Sequence, residues 1–214
     1  MTHYILMAIA AVVGYLLGSI NTAVLLSKLV YKNDIRTQGS GNAGMTNMQR
    51  VYGKKAAILT FLGDFCKGIA AVVIGWLMFK FAGYSWQEGA CIAGGFAVIG
   101  HNWPLYFGFK GGKGVLTTFS VLIVITPIPT LIVFALFILV VLVTKYVSLG
   151  SILAAVFLPV IVFFIGDRLL TQGGASPVFF LTLVGSLLII IRHHANIARL
   201  INGTESKLDL HKKK

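Results

Sequence analysis

Three polar, glycine-rich segments interrupt an otherwise apolar chain, and their side chains are of the kinds that handle phosphate. The first runs Gly39-Ser-Gly-Asn-Ala-Gly-Met-Thr-Asn-Met-Gln-Arg50 and sets Ser40, Asn42, Thr46, Asn47 and Arg50 among three glycines. Glycine lets backbone approach a ligand closely, successive N–H groups form a nest for anionic oxygens, and an arginine clamps phosphate with charge-assisted hydrogen bonds. The second runs from Gly100 to Val115 and contains Gly108-Phe-Lys-Gly-Gly-Lys-Gly114. It is not a nucleotide P-loop, because that pattern needs glycine where Phe107 stands and Ser or Thr where Gly114 stands, with a strand before it. Gly111, Gly112 and Gly114 beside Lys113, followed by a helix N-terminus, still favour an anion. The third, His193-His-Ala-Asn-Ile-Ala-Arg199, repeats His193, Asn196 and Arg199 every three residues, which on a helix puts them along one face. A histidine placed there can take a proton or orient a hydroxyl, and His194 points elsewhere.

The elements that carry these segments are membrane spans. The 214 residues are 57% hydrophobic and 11% charged, with a mean hydropathy of +0.88, a composition outside the range of water-soluble globules. The expectation is one polytopic all-α membrane domain over residues 1–214. Tyr4 to Val30 is too long for a signal-peptide core and reads as a retained span. Ala56 to Phe81, Gly89 to Tyr106, Ser148 to Ile165 and Pro177 to Ile191 follow as further spans of a bilayer whose hydrocarbon core is about 30 Å. Val115 to Thr144 would run about 45 Å as one helix and is interrupted by Thr126-Pro-Ile-Pro-Thr130, so a hairpin of two short helices is expected.

Charge supports the hairpin. The net charge is +12, and basic residues concentrate on the cytoplasmic side of membrane proteins. Seven helices with the N-terminus outside and the C-terminus cytoplasmic leave only Lys80 and Arg168 outside and Lys67 within the membrane. All three polar segments, and the turn from Lys145 to Ser151, then arrive at the cytoplasmic face. No aromatic-interleaved basic domain accompanies the charge, so nucleic acid is not the expected partner. Cys66 and Cys91 lack CxxC spacing and nearby histidines, which indicates neither disulfide nor zinc, and both are expected to pack inside. Asp64 and Lys67 are spaced to pair across one turn of a span, either as a structural ion pair or as a functional site. Gly14-Tyr-Leu-Leu-Gly18 has the GxxxG spacing of close helix packing.

Taken together, Ser40-Gly-Asn-x-Gly-x-Thr-Asn-x-x-Arg50, Gly100-His-x-x-Pro104 with Phe109-x-Gly-Gly-Lys-Gly-Val115, and His193-x-x-Asn-Ile-x-Arg199 with Gly203-x-Glu205-x-Lys207 resemble the bacterial acyl-phosphate:glycerol-3-phosphate acyltransferases. The resemblance covers essentially the whole chain. It implies a multi-pass enzyme of the bacterial cytoplasmic (inner) membrane, its active site facing the cytoplasm, functional as a monomer and needing neither cofactor nor metal. The implied reaction moves a fatty acyl group from acyl phosphate to the sn-1 hydroxyl of glycerol 3-phosphate, the first step of phospholipid biosynthesis. Under that resemblance Arg50 and Lys113 hold phosphates, with Gly111, Gly112 and Gly114 giving backbone approach and Asn42, Thr46 and Arg199 in support. His193 and Asn196 orient or deprotonate the hydroxyl, Ser40 donates to phosphate, Ser148 and Ser151 hold the acyl phosphate, and Glu205 braces the C-terminal segment. The His-x-x-x-x-Asp pair of other glycerolipid acyltransferases is absent. A transporter of a phosphorylated metabolite is the rival reading. It would need a midplane site between repeats, for which only Asp64 and Lys67 are suited, and no internal repeat is seen.

Overall fold

The computed structural model describes residues 1–166 and 177–208. Arg168, Gln172 and the tail from Asp209, including Lys212 to Lys214, lie outside the described residues. Ten α-helices and no strands occur among those described. The chain divides into two compact units, Met1–Ile125 and Thr126–Lys214.

The first unit contains α1 (Thr2–Ser19), α2 (Thr22–Leu29), α3 (Met45–Tyr52), α4 (Lys54–Phe81), α5 (Trp86–Asn102) and α6 (Val115–Ile125). The expected first span is present as one apolar segment, Thr2–Leu29, made of two helices with a break between them. Ile20 is extended, and Asn21 caps α2 by accepting from the Val24 N–H at 3.1 Å. The third expected span starts earlier, at Trp86, and stops at Asn102, where Trp103 and Pro104 lead into a short 3-10 turn at Leu105–Phe107.

Small residues set the packing of this unit. In lipid there is little hydrophobic gain from pressing helices together, so close backbone contact and polar bonds must hold them. An ideal Cβ on Gly14 would strike the Ala93 carbonyl, and one on Gly18 the Ala97 carbonyl. The GxxxG of α1 therefore lies against an Ala-x-x-x-Ala of α5. Gly75 of α4 and Gly89 of α5 approach in the same way. Polar bonds pin both ends of α1: His3 Nε2 lies 3.0 Å from Glu88, while Tyr15 donates to the Trp103 carbonyl at 2.9 Å and Ser19 accepts from the Leu105 N–H. Cys91 is buried as expected. Cys66 instead faces outward from α4, because its neighbours Asp64 and Lys67 take the inward face.

The second unit contains α7 (Pro127–Thr144), α8 (Val147–Ile161) continuing through a π-helical segment at Val162–Gly166, α9 (Pro177–Arg192) and α10 (His194–Ile201). The single long helix through Val115 to Thr144 is excluded, since the backbone leaves helical geometry at Thr126 (φ −140°, ψ 74°) and restarts with Pro127 at the first helical position. A left-handed Lys145 ends α7, and α9 and α10 meet at a bend of 56°.

Among the described residues, four helical segments are long and apolar enough to cross a bilayer, or five when the bent pair counts as one. The others are short, α5 at 17 residues and α6 at 11. Gly14→Leu and Gly18→Leu should force α1 off α5 and cost about 1–3 kcal/mol each by overpacking. Thermal unfolding of purified protein in detergent, with the exposed Val12→Leu as the neutral comparison, checks this.

Candidate functional site

In the first unit the first two polar segments are built onto each other. A small apolar cluster of Ala23, Val24, Ile35, Ala43, Met48 and Ala56 lies under the first, with Phe107 of the second packed against it. Asn47 then shapes the loop. Its Oδ1 accepts from the Ser40 N–H at 2.9 Å and its Nδ2 donates to the Gln38 and Ile35 carbonyls. Asn47 is thus a brace, whereas Ser40 and Arg50 are exposed, Arg50 reaching only the margin of Asn47 at 3.5 Å. Asn42 and Thr46 are half-buried at the start of α3.

Arg36 links the segments, and the sequence offered no local sign of it. Its Nε and Nη2 grip the Asp34 carboxylate at 2.9 and 2.7 Å. Its Nη1 donates to the Phe107 carbonyl at 2.6 Å and the Lys110 carbonyl at 3.1 Å. Hydrogen bonding from Arg36 holds the Asp34 carboxyl down at about 2.

The glycines of the second segment seat the loop on the end of α5. Gly111 and Gly112 donate their N–H groups to the Asn102 and His101 carbonyls at 3.2 and 3.1 Å, satisfying acceptors that a helix end leaves over. A Cβ on Gly111 would strike the His101 carbonyl, and one on Gly112 would strike His101 Nε2 and lie 2.8 Å from the Ala43 carbonyl. These two glycines thus give their N–H groups to the protein and allow the loop its close approach to α5 and the first segment. Gly114 is left-handed (φ +79°) and its carbonyl accepts from the Thr118 N–H, opening α6 with Lys113, half-buried, just before it.

Beneath this loop lies a buried cluster. The Lys67 ammonium is 2.8 Å from Asp64 Oδ1, 2.8 Å from the Ile20 carbonyl and 3.0 Å from His101 Nδ1. All three side chains are buried. The pairing expected from the spacing of Asp64 and Lys67 is present, and His101 joins it.

In the second unit the third polar segment is organised by Glu205. Its Oε1 accepts from Ser148 Oγ at 2.8 Å and Asn196 Nδ2 at 2.7 Å, and its Oε2 from Arg199 Nε at 2.6 Å. Burial pushes this carboxyl up, but the bonds from Arg199, Asn196 and Ser148 outweigh it and leave it below its ordinary range. Asn196 and Arg199 share a side of α10 as expected. His193 is the N-cap of α10, its carbonyl accepting from the Ile197 N–H at 2.9 Å, and it lies buried at the bend with Nδ1 2.7 Å from the Ile189 carbonyl. His194 is exposed. Ser151 is buried and donates within its own helix to the Val147 carbonyl. Leu208 donates its N–H to the Lys145 carbonyl at 2.7 Å, and Lys207 lies over the Tyr146 ring.

The result is an all-helical membrane protein with two clusters of phosphate-type groups, one on basic glycine loops and one around a carboxylate-braced Asn and Arg. A family model for glycerol-3-phosphate acyltransferase matches residues 8–203. The chain is 44% identical over 200 residues to the glycerol-3-phosphate acyltransferase of Clostridioides difficile, covering 94% of each. It is also 44% identical over 207 residues to that of Syntrophotalea carbinolica, covering 97% of this chain and 98% of the relative. Crystal structures of PlsY (YgiH), an integral membrane glycerol 3-phosphate acyltransferase, superpose at 36% identity. The glycerol 3-phosphate form gives a TM-score of 0.83 over 95% of this chain and 96% of that one. The lysophosphatidic acid form gives 0.79 over 95% of each. This chain belongs to the glycerol-3-phosphate acyltransferase family.

Glu205→Ala would strip Ser148, Asn196 and Arg199 of a shared acceptor. Hydrogen bonds to charged groups are worth about 1.5–3 kcal/mol each, so a clear fall in melting temperature is expected, with acyl transfer lost alongside it. Glu205→Gln should keep part of both. Thermal unfolding and turnover of the two variants, measured together, check this.

Proposed function

We propose that this enzyme attacks the acyl carbonyl of an acyl phosphate with the sn-1 hydroxyl of glycerol 3-phosphate at the cytoplasmic face of the bacterial inner membrane. The new ester C–O bond forms as the C–O bond to phosphate breaks. Phosphate leaves with the electron pair and takes up the hydroxyl proton, directly or by way of His193, and lysophosphatidic acid and inorganic phosphate result. The observation that carries this reading is the joining of the first two polar segments, which sets the loops of Arg50 and Lys113 on one scaffold through Arg36 and Gly112. Both substrates are phosphorylated, and these are the cationic, glycine-flanked groups suited to them.

In this reading Arg50 and Lys113 bind phosphate, helped by the N-terminus of α6, with Gly111, Gly112 and Gly114 permitting close seating. Ser40, Asn42 and Thr46 add small donors at the first loop. His193 and Asn196 orient the hydroxyl or help remove its proton, while Ser148, Ser151 and Arg199 hold the donor substrate's end of the reaction. Acyl phosphate is an activated mixed anhydride, so positioning and charge neutralisation can supply much of the rate without a carboxylate-assisted base. The enzyme acts as a monomer with its acyl chain among the helices.

Purified protein given acyl phosphate and labelled glycerol 3-phosphate should form lysophosphatidic acid. Arg50→Ala and Lys113→Ala, in folded protein, should each lower kcat/KM by about 100-fold or more, as expected for loss of a charge partner worth roughly 3 kcal/mol. Near-normal turnover would remove that residue from the site. Mass spectrometry after incubation with acyl phosphate alone should show an unmodified chain, and an acyl adduct on Ser40 would overturn direct transfer.

The seven-helix arrangement, N-terminus outside and C-terminus inside, belongs to the same reading and is supported by the charge distribution and the break at Thr126. Single cysteines replacing Gln38 or Lys110, in a chain lacking Cys66 and Cys91, should label only from the cytoplasm. Cytoplasmic labelling of Pro129→Cys would defeat it.

A further inference from the structure

Asp64, Lys67 and His101 have no part in the chemistry above, yet they lie directly beneath the loop that carries Lys113. An ammonium has three N–H donors, and Lys67 has three acceptors at bonding distance, the Ile20 carbonyl, Asp64 Oδ1 and His101 Nδ1. Because His101 Nδ1 accepts from Lys67, its proton is assigned to Nε2. Nε2 is the atom against Gly112, at the point where the Ala43 carbonyl of the first polar segment also arrives. One imidazole thus has the buried cation on one side and both phosphate-binding loops on the other. Asn21 reinforces the contact, its Nδ2 lying 3.4 Å from the Ala43 carbonyl. The Thr22 N–H, 3.4 Å from Asp64 Oδ1, ties the same cluster to the start of α2.

The geometry points to Asp64, Lys67 and His101 as positioning residues: a buried relay that fixes the height and orientation of the Gly111–Gly114 loop, and so the place of Lys113 against substrate phosphate. Asp64 compensates the Lys67 charge in the membrane and Lys67 fixes the tautomer and ring orientation of His101. His101 is the strut under Gly112. This assignment accounts for a charged pair inside a span, which is costly to keep without a role. It also accounts for the absence of a side chain at Gly112, where a Cβ would meet the strut. The relay rests on the phosphate-binding reading of Lys113, and its effect is on substrate placement, not on bond making.

The test uses the full chain in lipid nanodiscs, with two readouts. His101→Ala removes the strut but leaves the Asp64–Lys67 pair intact. His101→Gln offers an amide acceptor and donor in place of the neutral imidazole. Hydrogen exchange at the amides of residues 110–114 should quicken by about tenfold in His101→Ala and return most of the way in His101→Gln, with the second unit unchanged. KM for glycerol 3-phosphate should rise by about tenfold in His101→Ala while kcat falls less than about threefold, the split expected of lost substrate placement. Lys67→Met should reproduce both effects, and where it does not accumulate folded, His101→Ala decides. Unchanged exchange in the loop overturns the relay. Faster exchange with unchanged KM overturns its role in substrate placement, as does a fall confined to kcat. Failure of the wild type to transfer acyl groups would defeat the functional reading instead, and the exchange measurement would still decide whether the relay holds the loop.

Discussion

A lysine ammonium within a membrane helix must find an acceptor for each of its hydrogens, and much of the first unit follows from how Lys67 does so. One acceptor is the Ile20 carbonyl, released where α1 ends and α2 begins. The break in the first span and the buried cation therefore answer each other: the helix end offers an unsatisfied oxygen, and the cation would be costly without it. The second acceptor, Asp64, neutralises the charge one turn away on the same helix. The third, His101, carries the constraint across to α5 and the loop beyond it. Removing one member of such a set leaves the others uncompensated in a medium of low dielectric.

The glycine and alanine contacts supply what this polar cluster needs. α1, α4 and α5 approach closely enough for a Cβ on Gly14, Gly18, Gly75 or Gly89 to strike a neighbouring carbonyl. At that spacing Lys67 and His101, on different helices, come within hydrogen-bonding distance. Packing and electrostatics are thus set by the same small residues, and the loops above inherit their position from both.

How much of this was legible beforehand depended on how local each signal was. The polar segments, the break at Thr126-Pro127, the pairing of Asp64 with Lys67 and the GxxxG packing all depend on neighbours within a few residues, and periodicity or residue type exposes them. The family resemblance was carried by motifs of the same kind. The bridge made by Arg36 has no local signal, since its partners Phe107 and Lys110 lie 71 and 74 residues away. His101 was visible as a motif letter but not as the link between Lys67 and Gly112. The N–H acceptors of Gly111 and Gly112, at Asn102 and His101, are not legible from residue type, because they require the chain to turn back on the end of α5. The spacing of His193, Asn196 and Arg199 reads as one helix, but it does not show the 56° bend that puts His193 at the start of α10. Glu205 was read as a brace, but its three donors, one of them 57 residues away, could be identified only in three dimensions.

The strap from Glu205 to Leu208 has a bearing on biogenesis. A chain is made from its N-terminus, and units fold as they become available. Every contact of the first unit, the lysine cluster and the Arg36 bridge included, lies within residues already synthesised when Ile125 emerges. In the second unit Ser148, Asn196 and Arg199 wait for Glu205, and the Lys145 carbonyl waits for Leu208. The carboxylate-centred cluster therefore cannot close before Glu205 has been made, whereas every partner of the lysine cluster lies before Ile125.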